Sequence, residues 1–138
     1  MANLILTSGG QTLLRDYLAA PRNDLAPQTP QYISIGSGAA AATRFMTAMP
    51  NETFRGQIMD RAVDGLSVTF STFLTTSENI GKTGGNMVGF YGLMAGKATA
   101  DLGTGILVAI ANEASPFWKD GSQEVSVDLV VTVSGTIS

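Results

Sequence analysis

Apolar and polar residues alternate with period 2 through much of this chain, most cleanly near its end. From Glu124 to Ser134, Val125, Val127, Leu129, Val131 and Val133 fall on one side. Glu124, Ser126, Asp128, Thr132 and Ser134 fall on the other, with only Val130 out of step. That pattern predicts a half-buried antiparallel strand. Leu66, Val68 and Phe70 alternate with Ser67, Thr69 and Ser71. The phase then shifts at Thr72-Phe73, which predicts a bulge or a strand end there. Gln31 to Ile35 and Ile106 to Ala111 predict shorter apolar strands, and Phe54 to Arg61 a weaker one.

A helix is expected only near the start, over about residues 10–20. Ser8 and Gln11 have the S-x-x-Q spacing of a capping box. Leu13, Leu14, Tyr17 and Leu18 then share a face, with Arg15 and Asp16 opposite and Pro21 ending the run. So short a helix needs something larger to pack on. Residues 21–31 carry Pro21, Pro27 and Pro30 among polar residues and predict an extended connection.

Turn chemistry supports a β fold. Asp64-Gly65 separates the segment 54–63 from 66–74, and Asp120-Gly121 separates Pro116–Lys119 from the last strand. Asp-Gly between strands is a hairpin signal, since its residues tolerate positive φ. Gly84-Gly85, Gly96 and Gly103 punctuate the middle. Six or seven strands without alternating helices predict one mainly β domain over residues 1–138. The expected form is an antiparallel β-sandwich, jelly-roll-like, with one short N-terminal helix.

Composition narrows the chemistry. The 138 residues include 8 Lys+Arg and 11 Asp+Glu, so charged residues are 14%, against about 25% in an average soluble domain. Small and hydroxyl residues take their place: 16 Gly, 16 Ala, 15 Thr and 11 Ser. With no His and no Cys, the Ser-His-Asp and Cys-His arrangements and the usual zinc, haem and iron–sulfur ligand sets are absent. A net charge of −3 does not suit nucleic acid. Met1 to Leu6 lacks a basic n-region, and the longest apolar run, Ile106 to Ala111, falls well short of the roughly 18 residues of a membrane span. A soluble chain made in the cytoplasm is expected.

The motifs that could carry chemistry are weak. Gly36-Ser37-Gly38-Ala39-Ala40-Ala41 matches G-x-G-x-x-A after an apolar strand, but Pro50 and the β-rich remainder oppose a dinucleotide-binding βαβ unit. Gly81-Lys82-Thr83 resembles the end of a phosphate-binding loop, yet Thr76 stands where the first glycine is needed. Asp64, Glu78, Asp101 and Asp120 sit beside turns, where solvation explains them. No S-x-x-K accompanies Lys82, Lys97 or Lys119. Asn51-Glu52-Thr53 is an N-x-T sequon, which matters only in a secreted eukaryotic protein. Phe117-Trp118 suits either an exposed interface anchor or the end of a core. No catalytic residue, cofactor, metal or small-molecule substrate is expected.

In order along the chain, several segments resemble small virion structural proteins of tailed bacteriophages. They are Leu6-Thr7-Ser8-Gly9-Gly10, then Tyr32 to Gly38, the N-E-x-x-R segment Asn51 to Arg55, the strand Leu66 to Leu74, and Gly89 to Met94. Gly105 to Ala109, Phe117 to Lys119 and Glu124 to Ser134 complete the series. Tyr91 stands where that pattern usually has an acid. The resemblance extends both to head cement (decoration) proteins and to tail-fibre attachment domains, and a chain of this length suits the former. It implies a non-enzymatic protein on the capsid exterior that binds the major capsid protein and itself, as a dimer or trimer, and touches neither nucleic acid nor membrane. Phe117, Trp118, Arg55 and Arg61 are the expected interface residues. Met1 to Leu6 and the Pro21 to Gln31 segment are expected to add strands to a neighbour's sheet edge. Alternatives are a tail or neck component, such as a fibre attachment or collar protein, and a carbohydrate-binding β-sandwich. The last would need a platform drawn from Trp118, Tyr32, Tyr91 and Tyr17.

Overall fold

The computed structural model describes residues 4–19, 29–38, 40–74, 86–120 and 124–132. In chain order they form β1 (Ile5–Leu6), α1 (Ser8–Ala19), β2 (Tyr32–Gly36), β3 (Glu52–Gln57), β4 (Asp60–Asp64), β5 (Ser67–Leu74), β6 (Asn86–Ala95), β7 (Ile106–Lys119) and β8 (Val125–Thr132). The fold is mainly β, as the alternation predicts. Two antiparallel sheets, ordered β1-β7-β6-β2-β3 and β4-β5-β8, face each other as a sandwich. The sandwich is as far as the structure carries the expectation; orders of five and three strands do not by themselves trace a jelly roll.

The main core lies between the sheets. Ile33 and Ile35 of β2, Val88, Tyr91 and Leu93 of β6 and Ala109 of β7 meet Phe70 and Leu74 of β5 and Val127 and Leu129 of β8. In β8 the predicted alternation holds: Val127 and Leu129 are buried, while Ser126, Asp128 and Val130 are exposed. Val133 and Ser134 lie outside the described residues.

No phase shift occurs at Thr72-Phe73. The β5–β8 ladder runs without a break from Ser67 opposite Thr132 to Leu74 opposite Val125. Thr72 keeps the inward position and is buried because its hydroxyl donates to the Gln57 carbonyl at 2.9 Å, while Phe73 faces outward. A satisfied hydroxyl can occupy a core site, so polarity misstated the phase here.

The predicted strand Phe54 to Arg61 is two strands in different sheets. The chain switches sheets at Ile58-Met59, where the Ile58 N–H donates to the Gln31 carbonyl at 3.0 Å and the Met59 N–H to the Ser71 carbonyl at 2.8 Å. The Asp64-Gly65 hairpin signal is right to within one residue. Asp64 pairs with Ser67, so the turn itself is Gly65-Leu66, with Gly65 at φ 58°. Asp120-Gly121, by contrast, joins no hairpin: β7 lies in one sheet and β8 in the other, with residues 121–123 outside the described residues. Gly81 to Gly85 are outside them too.

β7 carries Ile106–Ala111 and Pro116–Lys119 as one strand with two irregularities. Phe90 pairs with Asn112 but Val88 with Phe117, so residues 113–116 bulge out opposite Gly89, which is where a proline is tolerated. Across this bulge β6 changes face. Val88 points into the core between the sheets, and Phe90 points into a second cluster outside the larger sheet with Ala42, Met49, Met94, Leu107 and Ile110.

The helix begins at Ser8, ahead of the expected 10–20 range, and its cap is one residue before the predicted Ser8. Thr7 is the N-cap, and its hydroxyl accepts from the Gly10 N–H at 3.0 Å. Leu13 is buried, but Leu14 and Leu18 are exposed, so the predicted apolar face is not the packing face. The helix docks on β7 through its first turn instead. A Cβ on Gly10 would sit 2.1 Å from the Val108 carbonyl oxygen. Ile5-Leu6, expected to reach a neighbour, pairs with Ile110 and Ala109 of this chain's own β7.

Candidate functional site

The four predicted interface residues do not form one surface. Phe117 and Trp118 alternate on β7. Phe117, opposite Val88, packs on the core, while Trp118, opposite Met87, is exposed. Arg61, on β4, is exposed and donates to the Pro30 carbonyl. Arg55, on β3, is not at the surface: its side chain is fully buried.

Arg55 is the centre of a polar cluster outside the larger sheet. Its Nε and Nη2 donate to the two carboxylate oxygens of Glu52 at 2.6 and 3.3 Å. Its Nη1 donates to the Thr99 carbonyl and the Thr104 hydroxyl, each at 2.9 Å. The same carboxylate accepts from the Ser34 hydroxyl and, at 2.8 Å, from the Gly103 N–H. Burial by itself would raise the Glu52 carboxyl. Hydrogen bonds from Arg55, Ser34 and Gly103, together with the Arg55 charge, outweigh that and hold it below the ordinary carboxylate value.

The cluster ties the β6–β7 loop to β3. Within that loop Thr104 donates to the Asp101 carbonyl at 2.7 Å and accepts from the Thr99 N–H at 3.0 Å. The second polar tie is Asn112, in β7. Its side chain accepts from the Ala42 N–H at 2.7 Å and donates to the Ala40 carbonyl at 2.8 Å. This fixes the alanine-rich segment after Gly38 over the outer cluster. The described part of that segment forms bends and turns, not the helix a dinucleotide loop would lead into.

Other ionisable groups have structural partners as well. The Tyr91 hydroxyl donates to Glu113 at 2.5 Å; burial, then that bond and the Glu113 charge, push the phenol far above its usual range. Asp128 accepts from Ser71 at 2.7 Å, and the buried Lys119 donates to the Asp120 carbonyl at 2.7 Å. Among the described residues no group of three or more Asp or Glu is placed to hold a metal ion, and no helix is long and apolar enough to cross a membrane. Nor, among the described residues, is an aromatic platform assembled around Trp118. Tyr91 is buried, Tyr32 packs on the outer cluster, and the Tyr17 side chain lies outside what is described.

What the surface does offer is apolar. A cleft of about 250 Å³ lies between α1 and the sheets, lined among others by Leu6, Leu13, Leu14, Phe70, Val108 and Val131. Beyond it β4 and the turn into β5 are exposed, while β5 itself is the middle strand of the smaller sheet. Every residue of β4 is exposed, and β5 is the one element it packs on extensively. Met59, Val63 and Leu66 are 69%, 75% and 70% exposed. Arg61 and Val63 share the inward side of their sheet with Phe70 and Val68, but the larger sheet does not extend far enough to cover them. Sequence alternation marked Leu66 and Val63 only as strand residues; that one sheet overhangs the other is a property of the pairing and has no local signal.

Comparison with protein-family models, with curated proteins and with solved structures finds no match for this chain.

Proposed function

We propose that this chain is a non-enzymatic structural protein of a tailed-phage virion, a head cement or decoration protein that binds the major capsid protein lattice from outside and stabilises the head. The observation that carries this reading is the overhanging β4–β5 hairpin. With Met59 just before it, it holds three large apolar side chains in water at about 70% exposure each, on a chain whose buried polar groups are tied into the fold. Burying them against a partner would return roughly 1.5 kcal/mol or more per side chain, so the hairpin suits docking rather than chemistry. The resemblance of its motif order to small virion proteins supports a capsid partner, and the charge-poor composition suits close packing against a lattice.

The test uses heads and tails of a phage whose genome encodes this chain, prepared without it. Purified protein is expected to bind heads and raise their resistance to heat and low salt, and the Val63→Lys/Leu66→Lys double variant is expected to do neither. Binding to tails alone would transfer the reading to a tail or neck component. Absence of binding to both, with heads equally resistant in its presence and absence, overturns it.

A further inference from the structure

Among the described residues the two sheets end in the edge strands β1, β3, β4 and β8, and these are not alike. β4 is an edge strand carrying Asp60, Arg61 and Asp64 in five positions, and charge of that density on an edge discourages pairing with another chain. β1 is only two residues long, and β3, the other edge of the larger sheet, is bulged at Thr53 and carries Glu52 and Arg55. β8 has none of these protections. It runs for eight residues with no Pro, Gly or Lys, its ladder with β5 has no bulge, and β5 is its one partner among the described residues. Its single charge, Asp128, accepts a hydrogen bond from Ser71 of the neighbouring strand.

We propose that β8 pairs with β8 of a second copy of this chain, antiparallel about a twofold axis at Leu129, joining the two three-stranded sheets edge to edge. An axis normal to the sheet keeps both core-facing sides on one side, so only residues on like faces can oppose each other. Centred on Leu129, Val127 opposes Val131 and Leu129 opposes Leu129 on the core side. Ser126 opposes Thr132 and Asp128 opposes Val130 on the outer side. No two charges are directly opposed. Centring on Asp128 would set the two carboxylates directly opposite each other, centring on Leu129 leaves them only diagonal, and centring on Val127 would add Glu124 diagonal to Asp128 twice. The same operation on β4 centred on Ala62 opposes Asp60 to Asp64. Charge therefore disfavours β4, and of the two registers that pair β8 over the greatest length, centred on Asp128 and on Leu129, it favours the second, whose pairing supplies about six inter-chain backbone hydrogen bonds. This inference goes beyond the proposed function and does not depend on which particle the chain joins.

Light scattering on the purified full chain is expected to give twice the 14.3 kDa monomer mass. Val130 is 41% exposed on the outer side, so either charge can be placed there. Val130→Asp opposes Asp128 of the other copy at two symmetric places and is expected to weaken dimerisation about tenfold or more, while Val130→Lys leaves it intact or tightens it. Because the chain has no cysteine, the Ser126→Cys/Thr132→Cys variant reports the register directly by forming a disulfide-linked dimer on oxidation; it also decides the matter if Val130→Asp fails to fold. A monomer at all concentrations, equal effects of Asp and Lys at position 130, or no cross-link from a folded double-cysteine variant overturns the proposal. A monomer that still binds heads overturns this pairing alone and leaves the function standing.

Discussion

Glu52 and Arg55 form a buried ion pair, and their energetics differ from those of a surface pair. With one partner removed, the other is left charged and desolvated, which costs about 3–5 kcal/mol at a buried site. Arg55→Ala is therefore expected to lower Tm by about 10–17 °C, as read by circular dichroism. Because Glu52 is held below its ordinary value of 4.5, the stability it contributes is present above that pH and lost as pH falls through its folded value. Acid titration of the wild type should show this loss together with faster amide exchange at Gly103, and Glu52→Gln should show a flatter stability profile below about pH 4.5. An unchanged profile in Glu52→Gln would mean the carboxylate is not the group that titrates. The pair was only half legible in the sequence. Both residues stand in the N-E-x-x-R segment, yet residues three apart on a regular strand point to opposite faces. The β2–β3 register shifts between Ile35, opposite Phe54, and Gly36, opposite Glu52. Thr53 is thus an extra residue, and this bulge turns Glu52 onto the side of Arg55. A one-residue bulge leaves little trace in composition, and the burial of Arg55 depends on the distant Thr99–Thr104 loop closing over it, which no local pattern marks.

At the scale of elements, local periodicity was enough for β8, for β2 and for the existence of α1, because each alternates or repeats within its own length. It was not enough to say which strands pair. Residues 54–61 read as one strand until the sheet switch at Ile58-Met59, and Asp120-Gly121 has hairpin chemistry between strands of different sheets. The helix shows how a long-range contact overrides a local signal. Its cap is Thr7 and not Ser8 because the Thr7 N–H also donates to the Val108 carbonyl at 3.0 Å and its hydroxyl to the Leu107 carbonyl. At the same place Val108 is the extra residue where the β6–β7 register shifts between Leu93 and Met94. Gly10 tests the point by sign. Helix propensity alone favours Gly10→Ala by about 1 kcal/mol, but the added Cβ would lie 2.1 Å from the Val108 oxygen. Steric displacement should win, with a net loss of about 1–3 kcal/mol in denaturant unfolding. Thr12→Ala, at an exposed site of the same helix, should instead gain a few tenths. If both substitutions stabilise, the close seat of α1 on β7 is wrong.

For the whole molecule, stability and assembly are carried by different surfaces. The core between the sheets and the outer cluster hold the fold, whereas the β4–β5 hairpin extends past the edge of the larger sheet and leaves its inward side uncovered. Substitutions there touch little within the chain, and surface changes away from packed features stay within about 0.5 kcal/mol. Val63→Lys/Leu66→Lys should therefore unfold at the wild-type denaturant midpoint while losing its binding to heads. Phe70→Ala makes the opposite change one position inward: Phe70 shares the inward side of β5 with Val68, but it is buried in the main core and lines the floor of the cleft. Its loss should cost about 3–5 kcal/mol, lowering the midpoint of unfolding, while the folded fraction still presents Val63 and Leu66 and still binds. If the lysine pair lowered stability as much as Phe70→Ala, the hairpin would be part of the core and its exposure would no longer argue for a partner. If it left both stability and binding unchanged, the docking surface would have to be sought elsewhere, with the half-exposed Trp118 on β7 the next side chain to test.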